Sequence, residues 1–140
     1  MQQNVISGRI PSSIAGLHKL EVFDMDNNKL TGSIPKNMNS APALSIIDLN
    51  FNSLSGTIPE QIGALSNLTF LQLDNNELSG TLPESLDDLS TLEILTLHNN
   101  RLTGSVPEGI CDLRSNGSLF ELWADCREME CDCCNVCYGV

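Results

Sequence analysis

Apolar and polar positions recur along this chain with a step of 24 residues. The repeated unit reads LxxLxLxxNxLxGxIPxxI and occurs four times in the 140 residues. Its fixed positions are an opening leucine, an asparagine eight residues later, a glycine and a proline: Leu20, Leu44, Leu68 and Leu92; Asn28, Asn52, Asn76 and Asn100; Gly32, Gly56, Gly80 and Gly104; Pro35, Pro59, Pro83 and Pro107. A period of this length predicts a solenoid in which each unit forms one coil.

Each unit opens with apolar residues that alternate with variable ones. The apolar pairs are Phe23 and Met25, Ile47 and Leu49, Leu71 and Leu73, and Leu95 and Leu97. Because side chains alternate between the two faces of a strand, this pattern predicts one short strand per coil with two core side chains. Later apolar residues, such as Leu78, Leu82 and Leu86, come at wider steps, which indicates a chain that bends back around the core.

The repeated asparagine, glycine and proline have structural explanations. The asparagine lies where the chain leaves each strand, and a buried amide there can both donate to and accept from backbone groups of the turn. We therefore predict a ladder formed by Asn28, Asn52, Asn76 and Asn100. The glycine permits a backbone conformation closed to residues with a Cβ, and the proline suits the start of the outer segment.

The ends of the chain depart from the repeat. The period predicts one domain over 1–140, with a partial repeat at 1–19, full repeats at 20–43, 44–67, 68–91 and 92–115, and a cysteine-rich cap at 116–140. Because residues 1–19 match only the second half of a unit, we expect the chain to be a fragment of a longer array with open strand edges at that end. In the alternative, these residues fold over the end of the stack themselves. Leu119, Leu122 and Ala124 predict a last strand within the cap.

All the cysteines lie near the C-terminus: Cys111, Cys126, Cys131, Cys133, Cys134 and Cys137. An even number at the end of a solenoid predicts a cap held by disulfides in an oxidising compartment, with Cys111 tying down the tail. Six cysteines allow 15 pairings, so the connectivity stays open. A zinc site is the alternative, but paired CxxC knuckles are missing, and His18 and His98 lie far away in sequence.

The segments LTGSIP, LSGTIP, LSGTLP and LTGSVP resemble the plant-type subfamily of leucine-rich repeats. The resemblance covers nearly the whole chain and implies an α/β solenoid: a right-handed superhelix with a parallel β-sheet on the concave side and short 3-10 or irregular convex segments. Members of that family serve as receptor ectodomains and as secreted inhibitor or adhesion proteins, so the resemblance implies binding and not chemistry. The tail CREMECDCCNVCYGV resembles the cysteine-rich endings of leucine-rich repeat proteins from diatoms.

Two sequons agree with an exported glycoprotein. Asn67-Leu68-Thr69 precedes a predicted strand, and Asn116-Gly117-Ser118 lies in the expected link to the cap. The start MQQNVISG has neither the basic nor the apolar segment of a secretory signal, and this segment is not expected to span a membrane. We expect an extracellular protein, secreted or a cell-surface ectodomain, whose signal or anchor lies upstream of Met1.

The strand positions that face away from the core are the candidate ligand-binding residues. They form three rows across the concave sheet: Val22, Ile46, Phe70, Ile94 and Glu121; Asp24, Asp48, Gln72, Thr96 and Trp123; Asp26, Asn50, Asp74, His98 and Asp125. Like charges directly opposite each other on adjacent strands disfavour pairing, so Asp24 and Asp48 suggest a cost that a ligand offsets. We expect a protein or peptide ligand with an apolar anchor near Phe70 and a basic side chain near these aspartates.

Simpler explanations of these rows exist. Valine, isoleucine and phenylalanine favour strands in any context, and acidic residues keep a chain of net charge −11 soluble. His98 between Asp74 and Asp125 offers the groups of a metal or acid–base site, but the row only samples one variable position on successive strands. We therefore expect no metal there.

Other function classes fit less well. The chain has no GxSxG, HExxH or phosphate-loop motif, so we expect no enzyme and no cofactor. Eighteen acidic residues against seven basic ones give the wrong field for nucleic acid. The alternative to ligand binding is a structural or adhesive role in a wall or matrix. In a minor variant of that role, ice or a polysaccharide binds two rows of hydroxyl groups: Thr31, Ser55, Ser79 and Thr103, and Ser33, Thr57, Thr81 and Ser105. The oligomeric state stays open.

Overall fold

Each coil contributes one strand to a parallel sheet of six strands. The computed structural model describes residues 5–139, apart from the side chain of residue 116. Numbered in chain order over the molecule, the strands are β2 (Val22–Asp24), β4 (Ile46–Asp48), β6 (Phe70–Gln72), β8 (Ile94–Thr96), β11 (Glu121–Asp125) and β13 (Val136–Tyr138). Their spatial order is β13-β11-β8-β6-β4-β2. The apolar member of each alternation, such as Ile47 or Leu71, lies fully buried beneath this sheet.

A second parallel sheet, which the repeat pattern did not predict, follows the asparagine of each coil. Its strands are β1 (Ser7–Arg9), β3 (Lys29–Gly32), β5 (Ser53–Gly56), β7 (Glu77–Gly80) and β9 (Arg101–Leu102), in that spatial order. A further parallel pair joins β10 (Gly104–Ser105) to β12 (Met129–Glu130). The second sheet and the first both run along the stack, so each coil is bonded to its neighbour on two sides.

The outer side of the described stack carries 3-10 helices and one α-helix. The 3-10 helices are Ser12–Gly16, Lys36–Ser40, Glu60–Ala64 and Glu84–Asp88, and α1 is Glu108–Asn116. A proline precedes each of them, as Pro59 does for Glu60–Ala64, because proline has the required φ and no N–H to leave unpaired. The solenoid with a parallel sheet and short 3-10 outer segments that the sequence predicts is confirmed.

The core is a continuous column of aliphatic side chains between the two sheets and the outer helices. Members from successive coils, including Leu44, Leu68 and Leu92, have no exposed surface. Burial of each such side chain contributes about 1.5–3 kcal/mol to stability. Since every coil packs only on its neighbours, this burial depends on the stack remaining closed.

The asparagines between the two sheets bind backbone groups of two coils at once. Asn76 Nδ2 donates to the carbonyl oxygens of Leu73 at 3.2 Å and Asp74 at 3.2 Å within its own coil, and to that of Leu49 in the preceding coil at 2.9 Å. Its Oδ1 accepts from the N–H of Leu54 at 2.9 Å. Asn52 and Asn100 repeat this arrangement. These amides satisfy the backbone groups that the bend removes from the sheet ladders.

The glycines after the second sheet allow close packing between coils. Gly80 has φ +82°, and a Cβ added there would lie 3.1 Å from Cγ2 of Thr57 in the preceding coil. Gly104 has φ +84°, and its Cβ would lie 3.0 Å from Cγ2 of Thr81. The threonines of the predicted hydroxyl row therefore pack their methyl groups on the next glycine, which is a structural reason for that row.

The C-terminal cap is held by three disulfides: Cys111–Cys133, Cys126–Cys137 and Cys131–Cys134. The first joins α1 to the tail, and the second joins the end of β11 to β13. Because all six cysteines are bonded in this way, they offer no thiolates for the zinc alternative. The expected strand at Leu122 and Ala124 is present as β11, but β13 follows it and pairs with it, so the expectation that it is the last strand was wrong. No helix within residues 5–139 is long and apolar enough to cross a membrane.

Candidate functional site

The outward face of the six-stranded sheet brings the predicted rows together in register. Val22 pairs with Ile46, Ile46 with Phe70, and Phe70 with Ile94, and Glu121 continues this apolar row on β11. Val22 is 49% exposed, whereas the other members are half-buried. The apolar row therefore forms a strip that is most open at Val22 on β2.

An acidic row lies beside the apolar strip. Asp24 and Asp48 are register partners on β2 and β4, and Gln72 continues the row on β6. Asp26 N–H donates to Asp24 Oδ1 at 3.2 Å, and Asn50 N–H donates to Asp48 Oδ1 at 3.2 Å. No Lys or Arg side chain within residues 5–139 forms an ion pair with either aspartate. The row thus presents negative charge that the described residues leave uncompensated.

Asp48 is the most perturbed titratable group of this face. The pKa of its carboxyl is raised from the ordinary 3.8 to about 6, chiefly by burial and to a smaller extent by the negative charges of Asp24, Asp26 and Asp74. The hydrogen bond from Asn50 N–H acts in the opposite direction and lowers the pKa. A cation on this face would remove part of the cost of ionising Asp48.

Toward the cap, three residues of the predicted binding rows are buried, which corrects their assignment as an exposed surface. Asp74, Thr96 and His98 are only 5%, 4% and 7% exposed. Thr96 Oγ1 donates to Asp74 Oδ1, and His98 Nε2 lies 3.7 Å from Asp74 Oδ2. These side chains bind each other across the strands, so they are not free to contact a ligand.

An aromatic cluster covers that end of the sheet. The ring of Tyr138, on β13, stacks on His98 with the ring centroids 4.0 Å apart and an interplanar angle of 11°. The ring of Trp123 tilts against His98 at a centroid distance of 5.7 Å. Asp125 is also occupied, since its carboxylate accepts from the backbone N–H groups of Asn99 at 2.9 Å and Asn100 at 3.0 Å. Tyr138 and Trp123 therefore close the candidate site at the cap.

The bend between the two sheets adds a residue that the sequence analysis missed. Four equivalent bend residues have a left-handed backbone: Asn27 at φ 52°, Phe51 at φ 50°, Asn75 at φ 54° and Asn99 at φ 55°. Three are asparagines, but Phe51 is an aromatic residue and is 50% exposed. Phe51 could have been identified from the sequence, because it interrupts a column of asparagines at this position.

The two sequons lie in different surroundings. Asn67 is exposed, and its Nδ2 donates to the carbonyl oxygen of Pro42 at 3.0 Å. A glycosylated amide keeps one N–H, so this hydrogen bond is compatible with a glycan. Asn116 is the last residue of α1 and not part of an irregular link as expected.

An acidic groove of about 740 Å³ lies outside the predicted rows. It runs beside the disulfide between Cys111 and Cys133, and its charged lining residues are Glu84, Asp87, Glu108, Glu130 and Asp132. Within residues 5–139, no group of three or more His, Cys, Asp or Glu side chains is placed to hold a metal ion. The groove thus adds to the negative field of the chain without forming such a centre.

Two leucine-rich repeat models match adjoining segments of the chain, residues 19–41 and residues 42–102. Together these segments make up more than half of the chain. Among curated protein sequences, none matches it.

Solved structures with the same coil arrangement include two from Arabidopsis thaliana. The leucine-rich repeat ectodomain of the receptor kinase HAESA, in complex with an N-terminally extended IDA peptide hormone, is 39% identical with a TM-score of 0.78, covering 85% of this chain and 20% of that one. The ectodomain of the receptor kinase SOBIR1 is 34% identical with a TM-score of 0.77, covering 88% and 65%.

A plant ice-binding protein is also similar, at 27% identity and a TM-score of 0.75, covering 91% of this chain and 42% of that one. The chain spans less than two thirds of each of these solved proteins. The 24-residue repeat, the stacked coils and both family models agree, and the chain belongs to the leucine-rich repeat family.

Proposed function

We propose that this chain is a non-enzymatic recognition module of an extracellular protein, either a receptor ectodomain or a secreted protein. It binds an extended peptide or protein segment on the outward face of the six-stranded sheet. The observation that carries this proposal is the apolar strip lying in register beside the uncompensated carboxylates of Asp24 and Asp48. A strip of this kind suits an apolar anchor flanked by a basic side chain.

Two further observations support the proposal. Three disulfides favour an oxidising compartment outside the cell. The similar HAESA ectodomain is solved with a peptide hormone. A peptide that lies along the arc would contact successive strands, which stand about 4.8 Å apart.

The test uses a short synthetic peptide of alternating valine and arginine, since an extended chain presents alternate side chains to opposite sides. Binding is measured by fluorescence anisotropy over a series of salt concentrations. The double variant Asp24→Ala/Asp48→Ala should bind about three- to tenfold more weakly and with a shallower salt dependence, because one exposed and one half-buried charge contact are lost.

The control is Asp87→Ala/Asp88→Ala. It removes the same charge from an exposed acidic pair in the 3-10 helix Glu84–Asp88, on the other side of the coil. It should bind the peptide nearly as the wild-type chain does. Equal weakening by both double variants would show that only net charge matters and would refute a site on the sheet.

A structural or adhesive role is the second candidate, with ice binding as its specific form. The observation that favours it is the similarity to a plant ice-binding protein. The hydroxyl row weighs against it, because Thr57 and Thr81 pack on Gly80 and Gly104 and so have a role in the fold. Thermal hysteresis measured at high protein concentration tests the ice-binding form of this role. A chain that causes no hysteresis would exclude ice binding.

A further inference from the structure

Phe51 stands where the other coils have an asparagine, at the bend between β4 and β5. Its backbone has φ 50°, in the left-handed region that asparagine tolerates and aromatic residues disfavour. Half of its side chain is exposed. The fold therefore gains little from this residue, and a strained, exposed aromatic of this kind points to a function.

The asparagines of the neighbouring bends have a partner that Phe51 cannot replace. Asn75 Nδ2 donates to Asp74 Oδ2 at 2.7 Å, and Asn27 Nδ2 donates to Asp26 Oδ2. Asn50 holds the position equivalent to Asp26 and Asp74, but Phe51 follows it and has no side-chain donor. Asn50 Oδ1 is enclosed and accepts no hydrogen bond from any described residue. Phe51 thus leaves an acceptor without a donor next to the acidic row.

The charges around this bend define the ligand group that fits it. Asp48 lies three residues before Phe51, and Asp24 is the register partner of Asp48 on β2, so two carboxylates of the acidic row precede this bend. No Lys or Arg side chain of residues 5–139 pairs with either carboxylate. An aromatic face beside carboxylates suits a guanidinium group, which stacks on rings and carries five N–H donors.

We propose that Phe51 is a specificity-determining contact, which stacks on an arginine side chain of the ligand while Asp48 compensates the charge. This inference rests on the proposed function, because it concerns the same bound segment. It extends the site from the face of the sheet onto the bend that follows β4. It also selects arginine over lysine, since a lysine ammonium stacks less well and lacks the planar set of donors.

The experiment compares two synthetic peptides, one of alternating valine and arginine and one of alternating valine and lysine. Affinities are measured for the wild-type chain, Phe51→Asn and Phe51→Leu. The wild-type chain should prefer the arginine peptide by about threefold, the size of an exposed cation–π contact. Both variants should lose that preference. Phe51→Asn should also unfold at a higher temperature, because it relieves the left-handed strain and supplies a donor for Asn50 Oδ1.

Phe120→Asn is the matched control, since Phe120 is exposed outside the bend and precedes β11. It should leave the preference for arginine unchanged. If the Phe51 variants keep that preference while Asp24→Ala/Asp48→Ala weakens binding, the role of Phe51 is refuted and the proposed function stands. If neither peptide binds the wild-type chain, both proposals fall.

Discussion

Replacement of Asp48 by asparagine should stabilise the folded chain near neutral pH. Burial and the neighbouring aspartates raise the pKa of Asp48 from 3.8 to about 6, so the ionised carboxylate is less favourable in the folded state than in the unfolded state. Asparagine keeps the Oδ1 acceptor that Asn50 N–H uses at 3.2 Å and carries no charge toward Asp24. The variant therefore removes the electrostatic cost without removing the hydrogen bond.

The sign and size of the stability change expected for Asp48→Asn follow from the pKa shift of Asp48. A raised carboxyl pKa means that the folded state binds more protons, so Asp48 lowers stability progressively as pH rises from about 4 to above 6. A shift of about two units corresponds to about 3 kcal/mol at most. Because Asp48 is only half-buried, solvent screening reduces the expected gain to about 1–2 kcal/mol.

Urea denaturation at about pH 4 and about pH 7.5 measures this gain. Far-UV circular dichroism follows the whole stack, and fluorescence of the single tryptophan, Trp123, follows the cap. The difference between Asp48→Asn and the wild-type chain should be near zero at the lower pH and reach its full size at the higher one. A difference that is equal at both pH values would refute the reasoning, since it would not arise from ionisation of Asp48.

Two further predictions concern the stacking of coils. Asn76→Ala should lower the free energy of unfolding by about 3 kcal/mol or more, because three carbonyl groups and the N–H of Leu54 lose their partner. Chemical denaturation checks this, and a loss similar to that of an exposed site such as Asn37→Ala would contradict it. Gly63→Ala should cost about 3 kcal/mol, since its Cβ would lie 2.0 Å from the carbonyl oxygen of Ser85. Gly16→Ala, whose Cβ would have no heavy atom within 4 Å, is the matched control in thermal unfolding and should be tolerated.

The repeating part of the fold could be predicted because each coil is specified by local spacing. Leu71 and Leu73 alternate with polar neighbours, and Asn76 follows at a fixed step, so one strand and one bend per coil are evident from the sequence. The second sheet was not evident. Residues such as Lys29–Gly32 have no alternation of their own, and their strand depends on hydrogen bonds to the neighbouring coils, including that from Leu30 N–H to Asn52 Oδ1.

The cap and part of the candidate site depended on contacts between distant segments. Tyr138 lies 40 residues after His98 in the sequence, yet it stacks on that ring and closes the end of the sheet. No local pattern could have predicted that His98 would be buried, because its ring is covered by Tyr138 on β13, a strand that the disulfide between Cys126 and Cys137 joins to the end of β11. Phe51 differs, since its deviation from the asparagine column is visible in the sequence once the bend geometry is known.

The asparagines that bridge adjacent coils also determine how the molecule should come apart. Each one shares its amide between its own coil and the coil before it, so neither coil can open without breaking bonds of the other. In a one-dimensional lattice model of the stack, the free energy of the interface between neighbouring coils is then large compared with the intrinsic stability of a single coil. Such a chain melts in long cooperative blocks, and hydrogen exchange of the amides in β4, β6 and β8 should proceed with nearly the same opening free energy.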